Sequence, residues 1–474
     1  MGGIRHLSRR QLIRDTAGLF SIFGLRPATI GRAAELPSFD FGKGFVWGAS
    51  TSAYQIEGAV SEDGRGPSIW DEFVTRPGAV PDAEAARIAC DHYHRAREDV
   101  RLLERAGVNA YRFSVSWSRI LPKGVGPVNR AGLDFYDRLI DQLAEAKIAP
   151  WLCLYHWDLP QALQDKGGWL NRDSMHWFAE LAALLGRRLG DRVGHWIMLN
   201  EAAIHSLFGH GFGTHAPGLR SREAIIASLH HQNLAQGLGL QALRQENSVF
   251  RLGTVMCLEP VRPSSTSALD RAAAEIFDSF WNRASLDPLF HGSYPANLAA
   301  EFERIMGHDD LDTIRQPIDF LGVNYYGRIY VQVDQSSPVG VGFGPIPRDL
   351  PFTVMGWPIE PDGLYDQLVE LRDRYGNPEV YITENGRSTG GNASKEEAVD
   401  DEDRIAYISA HLSYAHLAQR NGVDLRGYFV WSLLDAFEWN DGRKFRFGIV
   451  YVDWSTLART PKKSLLWLHT LTDR

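Results

Sequence analysis

Eight short apolar runs recur along this chain, separated by longer stretches of helical periodicity, and this rhythm limits the fold more than any other feature. The runs cover residues 45–49, 110–115, 150–155, 195–199, 252–257, 320–323, 380–383 and 428–431. Each is rich in β-branched or aromatic side chains, as a strand buried on both faces requires. Helical patterning between them is clearest over 131–146, 175–189, 222–246, 362–375 and 402–421. Strand and helix in alternation build a parallel sheet, and eight repeats close it into a (β/α)8 TIM barrel of the α/β class. The chain has 474 residues, well beyond the roughly 250 of a plain barrel, so the surplus belongs to long βα loops. Pro- and Gly-rich stretches at 77–81 and 336–358 fit such rims. No linker divides the chain, and residues 35–474 read as one domain.

Residues 1–34 read differently. Ser8-Arg9-Arg10-Gln11-Leu12-Ile13-Arg14 resembles a twin-arginine export signal, with an apolar stretch over 17–25 and small residues at Ala33-Ala34. This predicts a leader and a periplasmic location. Asp15 and Arg26 crowd the apolar stretch, so a frayed cytoplasmic leader is the alternative. Nothing beyond it approaches the roughly 20 apolar residues of a membrane span. The formal net charge of −8 supplies no basic field for nucleic acid. Three widely spaced cysteines, Cys90, Cys153 and Cys257, match neither a disulfide framework nor a zinc pattern and are expected as buried free thiols. His92 and His94 sit two apart and do not converge on one ion. No metal and no cofactor is expected.

The chemistry lies at the strand ends. The fourth run ends on Asn200-Glu201 and the seventh on Glu384-Asn385. In a parallel barrel the C-terminal ends of the strands form the mouth where reacting groups collect. Two carboxyl groups facing each other across a pocket are the minimal machinery for cleaving a glycosidic bond, one as acid and the other as nucleophile or base. The remaining ends carry groups suited to sugars. Gln55 and Glu57 follow the first run; Arg112 and Trp117 belong to the second; His156 and Trp157 end the third. Asn324, Tyr325 and Tyr326 follow the sixth, and Trp431 ends the eighth, with Glu438 and Trp439 on its loop.

Longer motifs around these ends carry a resemblance. They are Phe45-Val46-Trp47-Gly48-Ala49-Ser50-Thr51-Ser52-Ala53-Tyr54-Gln55-Ile56-Glu57-Gly58, Gly64-Arg65-Gly66-Pro67-Ser68-Ile69-Trp70-Asp71 and Tyr155-His156-Trp157-Asp158-Leu159-Pro160. Tyr381-Ile382-Thr383-Glu384-Asn385-Gly386 and Trp431-Ser432-Leu433-Leu434-Asp435 follow in the same order. From Phe39 to His469 the chain resembles glycoside hydrolase family 1, the β-glucosidase family. The resemblance implies a retaining, exo-acting β-glycosidase acting on terminal β-D-glucosyl residues of a glucoside or oligosaccharide, with β-galactosyl and β-fucosyl residues as further candidates. It implies Glu384 as nucleophile and Glu201 as acid/base, supported by Arg112, Tyr326 and Asn324. Gln55, His156, Asn200, Trp431, Glu438 and Trp439 would hold the sugar, and Trp357 would form a platform on the leaving-group side. Retention requires the carboxyl groups only about 5–5.5 Å apart. Arg112 and Tyr326, if adjacent, would keep Glu384 charged, and that charge would hold Glu201 protonated.

Three positions depart from the family pattern. Ala202 follows Glu201 where proline is usual, which predicts a slightly less rigid loop. Ala436 stands where asparagine is common and Arg443 where tyrosine is common, both near Glu438, so the choice among glucoside, galactoside and fucoside stays open. A catalytically silent sugar-binding barrel and a 6-phospho-β-glucosidase are the alternative readings. Glu438 opposes the second, because a carboxylate there repels a phosphate.

Overall fold

A computed structural model describes residues 39–472; the twin-arginine motif and the leader expected over 1–34 lie outside the described residues. Eight parallel strands close into a barrel: β1 (Val46–Ser50), β2 (Ala110–Ser114), β3 (Ala149–Tyr155), β4 (His195–Asn200), β5 (Arg251–Cys257), β6 (Phe320–Asn324), β7 (Val380–Asn385) and β8 (Leu425–Trp431). Each pairs with the next, and β8 closes on β1, with Ser50 opposite Trp431 on one side and Arg112 on the other. Several strands run a residue or two past the apolar runs, onto Asn200, Asn324 and Asn385. A barrel strand is paired on both sides, so the backbone ladder continues under polar side chains that sequence patterning assigns to loops.

The five expected helices form as Arg130–Glu145, Ser174–Leu189, Arg222–Glu246, Pro361–Arg374 and Glu402–Arg420. Arg130–Glu145 shows why: Leu133, Tyr136, Leu139, Ile140 and Leu143 recur at helical spacing and are buried. Pro361 opens its helix at a position where no amide hydrogen is required. The stretch 336–358, expected as loop, instead contributes Val341–Phe343 to a three-stranded sheet with Val261–Pro263 and Ile329–Val333. Pairing with Ile329–Val333 and burial of Val341 hold that strand, whose short, glycine-rich sequence has no period for patterning to detect.

The barrel interior is layered. Its floor is an apolar plug of Ala110, Trp151, Cys153, Ile197, Val255, Phe320, Tyr381 and Phe429. The Trp151 ring lies 4.7–5.1 Å from those of Tyr381, Phe320 and Phe429. Phe429 also packs onto Gly48, where a Cβ would fall 2.1 Å from its ring, so β1 must be bare at that point. The plug fills the lower part of the barrel, and above it a buried polar layer gathers at the mouth.

Asp435, in the motif after β8, braces the closure. Its Oδ1 accepts from Lys462 Nζ at 2.7 Å and the Gly448 N–H at 3.0 Å, and its Oδ2 accepts from Arg446 Nη1 at 2.9 Å. All three side chains are buried. Burial pushes the Lys462 ammonium down to about 8 even with the Asp435 charge opposing it. Removing the anion strands two buried cations, which costs about 3–5 kcal/mol. Asp435→Ala is therefore expected to lower the urea midpoint by that equivalent; an unchanged midpoint would refute this role.

The cysteines are buried free thiols. His92 bonds Asp99 at 2.8 Å, whereas His94 pairs with Asp91 and Glu62, so the two serve different carboxylates. Among the described residues no helix is long and apolar enough to cross a membrane.

Candidate active site

The polar layer centres on a buried guanidinium. Ala110 belongs to the plug, and two residues on, on the same face of β2, Arg112 rises into the mouth. Its Nη1 donates to Glu384 Oε1 at 2.5 Å and its Nη2 to Asn200 Oδ1 at 2.5 Å. The Tyr326 hydroxyl donates to Glu384 Oε2 at 2.8 Å, so each oxygen of Glu384 has a fixed donor. Phe320 and Asn324, like Ala110 and Arg112, share one face of β6. Asn324 Nδ2 donates to Glu201 Oε1 at 2.6 Å and to Asn200 Oδ1 at 3.1 Å. The same side chain hydrogen-bonds Glu384. Asn324 thus stands within reach of both carboxyl groups.

Both glutamates reach this layer through irregular pairing. The registers of β7 against β6 and of β4 against β5 shift between Ile382 and Glu384 and between Ile197 and Asn200. Such a bulge re-aims the side chains beyond it. Glu201 itself takes a left-handed backbone, φ 52°, one residue beyond β4. The loop that Ala202 was expected to loosen is a buried helical turn, Ala202–His205, followed by a π-helical turn, Ser206–Phe212. Ala202 is its first residue, where proline and alanine are both accommodated because that amide needs no helical partner.

Burial raises the affinity of both carboxyl groups for protons, and the surroundings separate them. For Glu384 the rise is opposed by the Arg112 charge and by hydrogen bonds from Arg112, Tyr326 and Asn324. For Glu201, held well above the ordinary carboxylate range, burial is reinforced by the Glu384 charge. Glu201 thus holds the proton of the pair, and Glu384 the charge.

The sugar-facing residues of the sequence reading surround this pair. Asn200 Oδ1 accepts from Arg112 and Asn324, so its Nδ2 must be the donor in the 3.0 Å contact with His156 Nε2. His156 is then neutral with its proton on Nδ1, consistent with burial holding its pKa well below the ordinary value. That buried Nδ1 has no protein partner. Gln55 Nε2 donates to the Phe437 carbonyl at 2.9 Å, its Oε1 accepts from Ser52, and the side chain also bonds Glu438. Glu438 Oε1 is buried without a partner. The rings of Trp431 and Trp439 each lie 5.9 Å from that of His156. Behind Trp439 stand Trp70, Trp157 and Tyr54 at 4.6–6.1 Å. Trp357 occupies the rim, 36% exposed, 5.3 Å from the ring of Tyr326. The wall is thus apolar and aromatic, with polar atoms left over for hydroxyl groups.

Glu57, although it follows β1, is not in this cluster. It accepts from Arg119 Nε at 2.9 Å and from the Tyr136 hydroxyl at 2.6 Å, a buried brace behind the first loop. Two neighbours of the site escaped the sequence reading. Thr383 Oγ1 donates to Asn324 Oδ1 at 2.8 Å and so turns the Asn324 amide nitrogen toward the carboxyl groups. Glu259, two residues past β5, lies buried beside them; the signal was available, since Leu258-Glu259-Pro260 also puts a carboxylate just beyond an apolar run. Among the described residues no three His, Cys, Asp or Glu side chains are placed to hold a metal ion.

Residues 38–474 match the glycosyl hydrolase family 1 model. The chain is 45% identical over 432 residues to beta-glucosidase A of Thermotoga maritima, covering 90% of this chain and 96% of that protein. It is 44% identical to a 1,4-beta-D-glucan glucohydrolase of Thermotoga neapolitana, covering 90% and 97%. The structure of the Thermotoga maritima beta-glucosidase in complex with glucoimidazole superposes with a TM-score of 0.86 at 43% identity, covering 91% of this chain and 98% of that one.

Proposed function

The chain belongs to glycosyl hydrolase family 1, and on that premise we propose that it is a retaining, exo-acting β-glucosidase with Glu384 as nucleophile and Glu201 as acid/base. The observation that carries this reading is the division of labour between the two carboxyl groups, one held charged by Arg112 and Tyr326 and the other kept protonated beside it. In the first step a Glu384 oxygen bonds to the anomeric carbon while the bond to the glycosidic oxygen breaks. Glu201 gives its proton to that oxygen, and the aglycone leaves as a neutral alcohol. Esterification removes the Glu384 charge, which had raised Glu201, so Glu201 becomes more acidic and remains ionised. It then takes a proton from water, whose oxygen displaces Glu384 and restores the β-anomer. Trp439 is backed by packed aromatic rings, which favours attack at a chain end.

A 6-phosphosugar is disfavoured by what surrounds the buried Glu438. Lys444 is exposed beside Asp441, and the Arg443 guanidinium lies 4.8 Å over the Trp454 ring. A silent binding barrel has no use for a protonated glutamate 2.6 Å from the amide that also serves the charged one. The purified protein is expected to hydrolyse nitrophenyl β-glucoside, to act on the 6-phosphoglucoside at least ~10²-fold less well, and to release β-glucose first by NMR. Inertness on nitrophenyl β-glucoside, galactoside, fucoside and xyloside, or α-glucose as the first product, would refute the reading. Export is supported by Arg9-Arg10 and by a family match that starts only at residue 38; a mature N-terminus that Arg9→Lys/Arg10→Lys leaves unchanged would refute it.

A further inference from the structure

We propose that Glu259 is a positioning residue for the nucleophile, its buried carboxyl fixing the main chain at Tyr326–Gly327 and, through it, the phenol that bonds Glu384. The inference rests on Glu384 acting as nucleophile.

Glu259 Oε1 accepts the Tyr326 N–H at 3.1 Å, and the carboxyl also accepts from the Gly327 N–H. Both amides lie just after β6, where no neighbouring strand can take them. Glu259 is itself clamped: its N–H donates to Asn282 Oδ1 at 3.2 Å, and Asn282 Nδ2 donates back to its carbonyl at 2.9 Å. Pro260 follows and locks the next φ angle. The chain of contacts therefore runs from Asn282 to Glu259, from Glu259 to the Tyr326 main chain, and from the Tyr326 hydroxyl to Glu384 Oε2, three hydrogen bonds of 3.2 Å or less joined through the Tyr326 side chain. On its far side Tyr326 is held by its carbonyl, which accepts from the Tyr407 hydroxyl at 3.2 Å. Among the described residues Glu259 is the acceptor that holds the amide side. Burial pushes its carboxyl up to about 8, so the acceptor is largely uncharged at neutral pH and adds little negative charge beside Glu201 and Glu384. A carboxyl group thus reaches two adjacent amides without burying a second full anion in the site.

Double-mutant analysis of the full chain tests this. Tyr326→Phe removes a hydrogen bond to a charged group and is expected to lower kcat roughly 10- to 100-fold. Glu259→Ala is expected to lower kcat about 10-fold, with KM within about threefold of wild type, because the defect lies in aligning the nucleophile. In the Tyr326→Phe background the same change is expected to cost less than about threefold, since the phenol it positions is already gone. Glu259→Gln, which retains a carbonyl acceptor, is expected to restore most of the rate. A multiplicative double mutant, an Ala variant with unchanged kcat, or a Gln variant no better than Ala overturns the proposal. If the Ala variant fails to fold, Glu259→Asp, which retracts the acceptor by one methylene, goes through the same cycle under the same criteria. Activity surviving in Glu384→Gln would remove the underlying reading, whereas an additive cycle with Glu384→Gln inactive removes only the role of Glu259.

Discussion

Glu384→Gln is expected to lose about 10⁴-fold or more of kcat on nitrophenyl β-glucoside while the protein stays folded and still binds sugar. The amide is nearly isosteric with the carboxylate, and its oxygen can still accept from Arg112 Nη1, now 2.5 Å from Glu384 Oε1. What disappears is the negative charge that makes this oxygen a nucleophile toward the anomeric carbon. No neighbour can substitute, because Arg112, Tyr326 and Asn324 all act on Glu384 as donors. Glu201 cannot either, since it holds the proton the leaving group needs and its Oε1 is tied to Asn324 at 2.6 Å. The loss should be large for good and poor leaving groups alike, because the missing bond forms in the same step in which either departs. Retention of more than about a hundredth of wild-type kcat would take the role away from Glu384.

Glu201→Ala is expected to behave differently, and the contrast identifies it. Proton donation contributes about 10²–10⁴-fold and matters in proportion to the basicity of the departing oxygen. The variant should therefore lose about that factor on cellobiose, whose leaving group is a sugar hydroxyl, and far less in the first step on a dinitrophenyl glucoside. Its second step lacks a base for water, so the glycosyl intermediate should accumulate. Azide, which needs no deprotonation, should release it as a β-glucosyl azide. The pH profile gives an independent sign. Wild-type rate requires Glu201 protonated and Glu384 ionised, so it falls as pH rises through the pKa of Glu201. Because burial and the Glu384 charge hold that pKa well above the ordinary value, the fall comes at higher pH than an exposed carboxyl would give. The Ala variant should lose this alkaline limb. A limb that persists, or a loss equal on all leaving groups, would assign the acid elsewhere.

Much of the fold was open to reading because barrel strands buried on both faces leave uninterrupted apolar runs, and the helices that cover them keep a 3.6-residue period. The strand Val341–Phe343 was not, because three residues set among glycines are too few for a period to register. At the site, chemical type marked candidates without sorting them. Gln55 and Glu57 stand two apart after the same strand. Gln55 enters the mouth with Glu438, whereas Glu57 turns to Arg119 and Tyr136 behind it. Thr383 attracted no notice because a threonine in a strand is ordinary, yet it sets which end of the Asn324 amide faces the carboxyl groups.

The sequence by itself determined the alternation that closes the barrel, the strand that carries each functional side chain, and the end of the strand on which it lies. Those properties follow from local composition and chain order. Tertiary structure decided which way the two glutamates face. Tyr381 lies in the plug, and strict alternation along β7 would then direct Thr383 inward and Glu384 outward. The register shift after Ile382 breaks that alternation, so that Thr383, bonded to Asn324, and Glu384, bonded to Arg112, both face the mouth. On β4 the shift after Ile197 brings Asn200 to the same guanidinium, and the left-handed backbone at Glu201 turns its carboxyl to Asn324. A bulge is a mismatch between two paired strands, so its position depends on the partner's register, which no single run of residues encodes.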